Sequence, residues 1–453
     1  MSSTPEMAGK ASQIITCKAA VCWGPEEPLK VEEIQVEPPR ASELRVRMIC
    51  ASTCHTDILC WNGFPAVSSG ADLLPEEPVL VFVMEGLTSL VIFHGFLQAL
   101  FPRVMGHEGV GVVESVGEGV TGFKEGDTVI PTVLGECGEC PNCVSNKTNL
   151  CFKHPVLLHG LMPDGTSRMS VRGQPLYHLI NCSTFSEYMV VDASFAVKVP
   201  PRLQPEHATL FSCGFATGFG AVWKEAKLEE GSTAAVFGLG GVGMGVRVYA
   251  HIMSICANVP KIDESPTTQW VQAIAAAKSL GAAKIIGVDV KETRREKAVE
   301  LGMTDFINPK ELDGDGKTTP EAIKEMTGGL GVDYSIECSG AAPLVNQAFQ
   351  ATVPGKGVTI VVGASNEVAI SINLLELIIG KMLKGSLYGG IKPQTDIPVL
   401  FDKCINEGLP LDGLVTHEVG LGDVNHAYEL LKLPECLKVL ITFDGAKEYP
   451  SRP

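Results

Sequence analysis

At 453 residues the chain has room for two or three domains with cores of their own, and its 45% hydrophobic and 19% charged content excludes a disordered polymer. With 36 basic and 52 acidic side chains the formal net charge is −16, a field that repels phosphate backbones and argues against a nucleic-acid partner. The N-terminal stretch MSSTPEMAGKASQIITCKAA has no apolar run behind a basic patch, so the expectation is a chain without a secretory signal in a reducing, cytoplasmic setting. Its fifteen cysteines then remain thiols or bind metal.

From about Cys17 to Val133 the text predicts β-structure. Apolar runs such as ELRVRMICAS and GVGVVESVG are punctuated by glycine, and GFKEGDTVI predicts a turn followed by a strand. Within this region Pro78 to Phe101 is almost long enough to span a bilayer, but Glu85 and His94 near its middle are costly in hydrocarbon. No membrane span is expected.

Next comes GECGECPNCVSNKTNLC, with cysteines at 137, 140, 143 and 151. The spacing C-x2-C-x2-C-x7-C places four thiolates within reach of one ion, and Gly135, Gly138 and Pro141 supply the tight turns. Zinc takes four such sulfurs tetrahedrally and leaves no open position, so the segment predicts a structural clamp; an iron–sulfur cluster shares the spacing logic. After it, TFSEYMVVDASFAVKV again alternates like strands.

Around Pro205 the pattern changes. AAVFGLGGVGMGV, AAKIIGVDV, DFINP, GVDYSIECSG and GVTIVVGAS are β-runs separated by helical stretches such as TRREKAVELG and PEAIKEMTG, which predicts βαβ units and a parallel sheet. Gly238, Gly240 and Gly243 form G-x-G-x-x-G directly after an apolar strand, the arrangement that brings backbone close to a pyrophosphate. Asp289, at the end of the next strand, is placed to bond a ribose 2′-hydroxyl and to favour NAD over NADP; otherwise it is a strand-end turn residue. The interval from Gly243 to Asp289 is 289 − 243 = 46 residues, against about 20 expected. The surplus falls at 249–272, where two prolines, Pro260 and Pro266, rule out one continuous helix.

Three more residues invite a second metal: Cys54 in STCHTD, His107 in MGHEGVG and Cys213 in FSCGFATG. A catalytic zinc needs three protein ligands and one vacant position. Asp57 and Glu108 beside them are carboxylates suited to orienting an imidazole, and Thr56 offers a hydroxyl for relaying a proton.

As a set, CHTD, GHEGVGVVESVGEGV, GECGECPNC…C, SCGFATG, GLGGVG and IIGVD resemble the zinc-dependent medium-chain alcohol dehydrogenases, with the plant alcohol dehydrogenase-like members most similar. The resemblance implies an α/β fold: a GroES-like β-rich catalytic domain over 1–214 and 388–453, and a Rossmann doubly wound parallel-sheet domain binding NAD over 215–387. It implies hydride transfer between an alcohol or aldehyde and NAD, two zinc ions per chain, and a homodimer. Cys54, His107 and Cys213 would hold catalytic zinc, and Cys137, Cys140, Cys143 and Cys151 structural zinc. Thr56 would relay the proton and Glu108 would be an outer carboxylate. Thr217, Val242 and Val362 would line the nicotinamide, while Arg294 and Lys438 would serve the adenosine ribose and pyrophosphate. The position where some members end the relay at a histidine is Leu59, which sends the proton out by ribose and solvent. Val133 stands where the family narrows its pocket with an aromatic, implying a roomier one.

Cys54 and His107 are 107 − 54 = 53 residues apart, some thirty more than the resemblance predicts, with the surplus at 66–99. Both surplus segments read as additions to an ordinary dehydrogenase, such as translation of unspliced message would give. The alternative is a protein that binds NAD and zinc without turnover because the additions break the catalytic geometry.

Overall fold

The computed structural model describes residues 13–64, 100–239, 242, 284–300, 303–312, 314, 316–365, 369–406, 411, 413–433 and 435–444. Gly240, Gly243 and the segments 66–99 and 249–272 lie outside the described residues.

Long alternating runs in the first half become two antiparallel layers. In the smaller sheet β1 (Ile15–Cys22) is flanked by β4 (Arg103–Val104) and β2 (Lys30–Val36), and β2 continues to β7 (Met169–Val171) and β8 (Gln174–Leu176). The larger sheet is organised by β3 (Glu43–Ser52), buried along most of its length. One edge of β3 pairs with β5 (Glu108–Val116), which leads to β6 (Thr128–Pro131) and β10 (Ala196–Lys198). The other edge is shared: its first half takes β9 (Tyr188–Asp192) and its last residues take β18 (Val439–Thr442) from the far end of the chain. β17 (His417–Gly420) extends β18 in parallel. Residues from both ends of the polypeptide therefore build one sheet, and no interval of sequence could have announced that pairing.

The second half is a six-stranded parallel sheet in the order β13 (Asp305–Ile307), β12 (Lys284–Val288), β11 (Thr233–Phe237), β14 (Tyr334–Glu337), β15 (Val358–Val361), β16 (Met382–Gly385). Counted within this sheet the order is 3-2-1-4-5-6, the doubly wound arrangement whose direction reverses beside β11. The runs are apolar because parallel strands are covered on both faces; Ala235, Val236, Phe237, Ile286 and Ile336 are fully buried. The capping pattern of TTPEAIKEM starts the helix Thr319–Met326: Thr318 and Glu321 exchange hydrogen bonds.

Between the two parts lies α1 (Gly214–Gly220), every residue of which is buried. Its glycines permit this: a β-carbon on Gly220 would meet the Gly389 carbonyl oxygen at 2.4 Å. One hydrophobic cluster runs from Leu44 and Val46 through Phe211, Phe215 and Phe219 to Val236, Ile336 and Ile360, so this helix joins the sheets through a shared core. No described helix is long and apolar enough to cross a membrane.

Candidate active site and metal centres

Strand register brings Cys54 and His107 together. Ser52 at the end of β3 faces Glu108 at the start of β5, so the residues just beyond, Cys54 and His107, leave the sheet side by side. Cys213 arrives from a third direction, in an irregular conformation (φ −151°, ψ −83°) at the junction of the 3-10 turn Thr209–Ser212 and α1. The ligand atoms of Cys54, His107, Glu108 and Cys213 all lie within 4.8 Å of one another.

The helix His55–Trp61 explains how two of these groups are aimed. Asp57, fully buried, accepts the Cys54 backbone N–H at 2.8 Å and meets His107 Nδ1 at 2.8 Å. With Nδ1–H donating to the carboxylate, Nε2 carries the lone pair, and that atom is buried without a hydrogen-bond partner among the described residues. A buried, unpartnered imidazole nitrogen beside two sulfurs fits a metal cation and little else. Burial alone would pull the His107 pKa down, but the Asp57 charge and Cys54 raise it well above its ordinary value. A hydrogen bond with Cys213 holds Cys54 well below the usual thiol range, and the same bond holds Cys213 well above it.

Glu108, whose carboxylate lies beside this donor set, is occupied by four bonds. Ser52 donates to it at 2.6 Å, the Gly214 N–H at 3.1 Å, and the Lys438 amine to both oxygens. Burial pushes the Glu108 pKa up to about 7, against the opposing pull of Lys438. Lys438, expected on the pyrophosphate, is only 4% exposed and is committed to Glu108 and to the Thr53 carbonyl at 3.2 Å. It reaches this place because β18 pairs with the end of β3. Thr56 is half-buried, with its hydroxyl 3.9 Å from the Cys54 sulfur.

The four-cysteine segment closes on itself. Cys137, Cys140, Cys143 and Cys151 bring their sulfurs within 4.8 Å of one another. Cys140 caps the short helix Pro141–Val144, and backbone N–H groups of residues 140, 143 and 154 point at the sulfurs of Cys137, Cys140 and Cys151 at 3.3–3.4 Å. Gly138 takes the left-handed conformation that the first turn requires (φ +75°). Such N–H···S bonds stabilise thiolates, the ligand form.

At the cofactor sheet, Gly238 follows β11 with φ +86° and leads into Leu239, whose N–H bonds Asp289 at 2.8 Å. Asp289 also accepts the Lys291 N–H at 2.9 Å and the Arg294 guanidinium at 3.1 Å. Val362 follows β15, its N–H bonding the Glu337 carbonyl, and Val242 is half-buried. Thr217 sits one turn into α1, its N–H on the Cys213 carbonyl at 2.9 Å. These positions cluster at the carboxyl ends of the strands, where doubly wound sheets bind ligands. The sequence reading passed over His55, which is exposed beside Cys54 and within electrostatic range of Lys291, Arg294 and Lys438. Its signal was a basic residue next to a candidate ligand. The apolar stretch NLLELIIGK forms the helix Leu374–Ile378 followed by β16, and its leucines project to solvent.

A doubly wound sheet of order 3-2-1-4-5-6 joined to a two-sulfur, one-imidazole cluster and a separate four-sulfur cage defines a zinc-binding dehydrogenase. Residues 40–201 match the alcohol dehydrogenase GroES-like domain and residues 271–404 the zinc-binding dehydrogenase domain. The chain is 45% identical over 439 residues to alcohol dehydrogenase 1 of Tanacetum cinerariifolium, covering 96% of this chain and all of that one. It is 46% identical over 435 residues to the CYP enzymes assisting alcohol dehydrogenase of Catharanthus roseus, covering 95% and 100%. Among solved structures, benzyl alcohol dehydrogenase from Acinetobacter calcoaceticus superposes with a TM-score of 0.72 at 25% identity, covering 95% of this chain and 99% of that one. The chain belongs to the zinc-dependent medium-chain alcohol dehydrogenase family, and its cofactors are zinc and NAD.

Proposed function

We propose that the chain oxidises an alcohol to the aldehyde or ketone, or runs the reverse reaction, at the cluster of Cys54, His107 and Cys213. The observation that carries this assignment is the convergence of these three ligand atoms, with His107 Nε2 buried and unpartnered. Zinc, when bound there, supplies Lewis acidity toward the alcohol oxygen, and NAD supplies the hydride acceptor. The protein's part is positional. Asp57 fixes the imidazole tautomer, and Ser52, Gly214 and Lys438 occupy Glu108. The oxidised carbon gives up a hydride and its hydroxyl gives up a proton, which the Thr56 hydroxyl takes toward solvent; Leu59 offers no titratable group to continue the relay. Gly238 and Asp289 seat the dinucleotide, Thr217, Val242 and Val362 face its nicotinamide, and Cys137, Cys140, Cys143 and Cys151 hold the second zinc. The unit over 1–214 and 388–453 carries the metals and 215–387 the cofactor.

The edge of the cofactor sheet supports a homodimer. β16 is its last strand, and the neighbouring Leu374 and Ile378 are 68% and 70% exposed, an apolar edge that a second copy would cover. Six cysteines as zinc ligands need thiolates, which favours the reducing cytoplasm. The test is metal content set beside NAD reduction with a panel from ethanol to long-chain and aromatic alcohols. Two zinc ions per chain with turnover is expected; one zinc and no turnover would leave only a binding role.

A further inference from the structure

Tyr388 stands immediately after the last strand of the cofactor sheet, on the crossover back to the metal-bearing part. It is 2% exposed and adopts φ +57°, the left-handed region that residues bearing a β-carbon avoid, and Gly389 and Gly390 continue in it at φ +62° and +72°. This three-residue turn is pressed against α1: a β-carbon on Gly389 would lie 2.2 Å from the Thr217 carbonyl oxygen. Such a conformation persists where surrounding contacts over-determine it. The Tyr388 hydroxyl donates to the Phe211 carbonyl, a main-chain acceptor two residues before Cys213.

That carbonyl belongs to the 3-10 turn Thr209–Ser212, which stops at the irregular Cys213, so it needs a partner from elsewhere in the fold. The Phe211 ring is already fixed, with centroids 5.0 Å from Phe215 and 4.9 Å from Phe401. Ser212 is tied to the backbone of Gly109, two residues past His107, at 3.2 and 3.4 Å. The peptide between these two anchors, just before Cys213, is the one whose carbonyl the tyrosine hydroxyl bonds.

We propose that Tyr388 is a positioning residue for Cys213, setting the second sulfur of the catalytic zinc from the cofactor-domain crossover. Phenylalanine would fill the same volume and leave the Phe211 carbonyl buried without its donor. The inference rests on the reading of Cys213 as a metal ligand.

The experiment compares the zinc-loaded parent with Tyr388→Phe, and with Tyr428→Phe as control; Tyr428 is equally buried, but its hydroxyl has no partner. Loss of each zinc to a chelator is followed with time, and the thiolate-to-metal absorption of the cobalt-substituted catalytic centre is recorded. Tyr388→Phe is expected to release the catalytic metal about 10-fold faster, the low end for groups that orient a ligand, with a shifted cobalt band and an unchanged four-cysteine centre. Tyr428→Phe should match the parent in both. Parental release and spectrum for Tyr388→Phe, equal acceleration at both centres, or the same change in Tyr428→Phe would overturn the proposal. A parent that binds only one zinc would instead remove the ligand assignment beneath it.

Discussion

Two clusters of metal-ligating side chains occupy this molecule, and they are built on opposite plans. The four-sulfur cage comes from a single stretch ending at Cys151, and its own N–H groups stabilise its sulfurs. The catalytic set is collected from the end of β3, the approach to β5 and the start of α1, then braced by Asp57, Glu108 and Lys438 from three parts of the chain. The first is a local device that grips the fold. Lys392 donates to the carbonyls of Cys143 and Ser145 at 2.6 Å, and Asn149 to those of Leu387 and Ile391 at 2.9 and 3.1 Å. The second is a non-local device that the fold must hold in place. Local closure gives strength and a filled shell; non-local assembly leaves a position open for chemistry.

That contrast can be broken at either end. His107→Ala should cost kcat/KM about 10^3-fold or more, because Lewis-acid stabilisation is worth several kcal/mol. Metal content should fall from two ions to one per chain while the unfolding midpoint changes little; preserved turnover with a single remaining ion would mean that the centres have been exchanged. Cys140→Ser should do the reverse, lowering stability by about 3–5 kcal/mol, the range for a lost structural metal, and exposing 137–151 to protease while kcat falls far less. Denaturant unfolding and limited proteolysis check it.

The smallest expected effect tests whether the β-rich part has a pH-sensitive element apart from both clusters. His178 is buried, its Nδ1 bonded to the Cys182 carbonyl at 2.9 Å and its Nε2 unpartnered, and burial holds its pKa down to about 4. The unfolded chain then binds a proton that the folded one refuses. The stability contribution is complete above about pH 6.5 and is lost as pH falls toward about 4, by up to about 3 kcal/mol. His178→Gln should flatten stability over that window; an unchanged slope in urea titrations would assign the acid sensitivity elsewhere.

The four-cysteine cage was legible because its information is contiguous, as were the parallel sheet and the helix starting at Thr319, whose periodicity and cap are local. Asp289 and Gly238 were legible from strand context. The contact of Lys438 with Glu108 was not legible, because only the pairing of β18 with β3 buries the amine there. Tyr388 was passed over for the same reason, since its hydroxyl bonds a carbonyl 177 residues away in the chain.

By itself the sequence determined the family, the ligand types and the order of the elements, because these depend on residue identity and short-range spacing. The tertiary structure decided which groups share a site. Convergence of Cys54 and His107 across 53 steps of chain (107 − 54), and of Lys438 with them, depends on strand register, which is fixed by burial of whole sheet faces rather than by any neighbouring residue. Cys213 and Tyr388 reach the site through the packing of α1 and the turns against it.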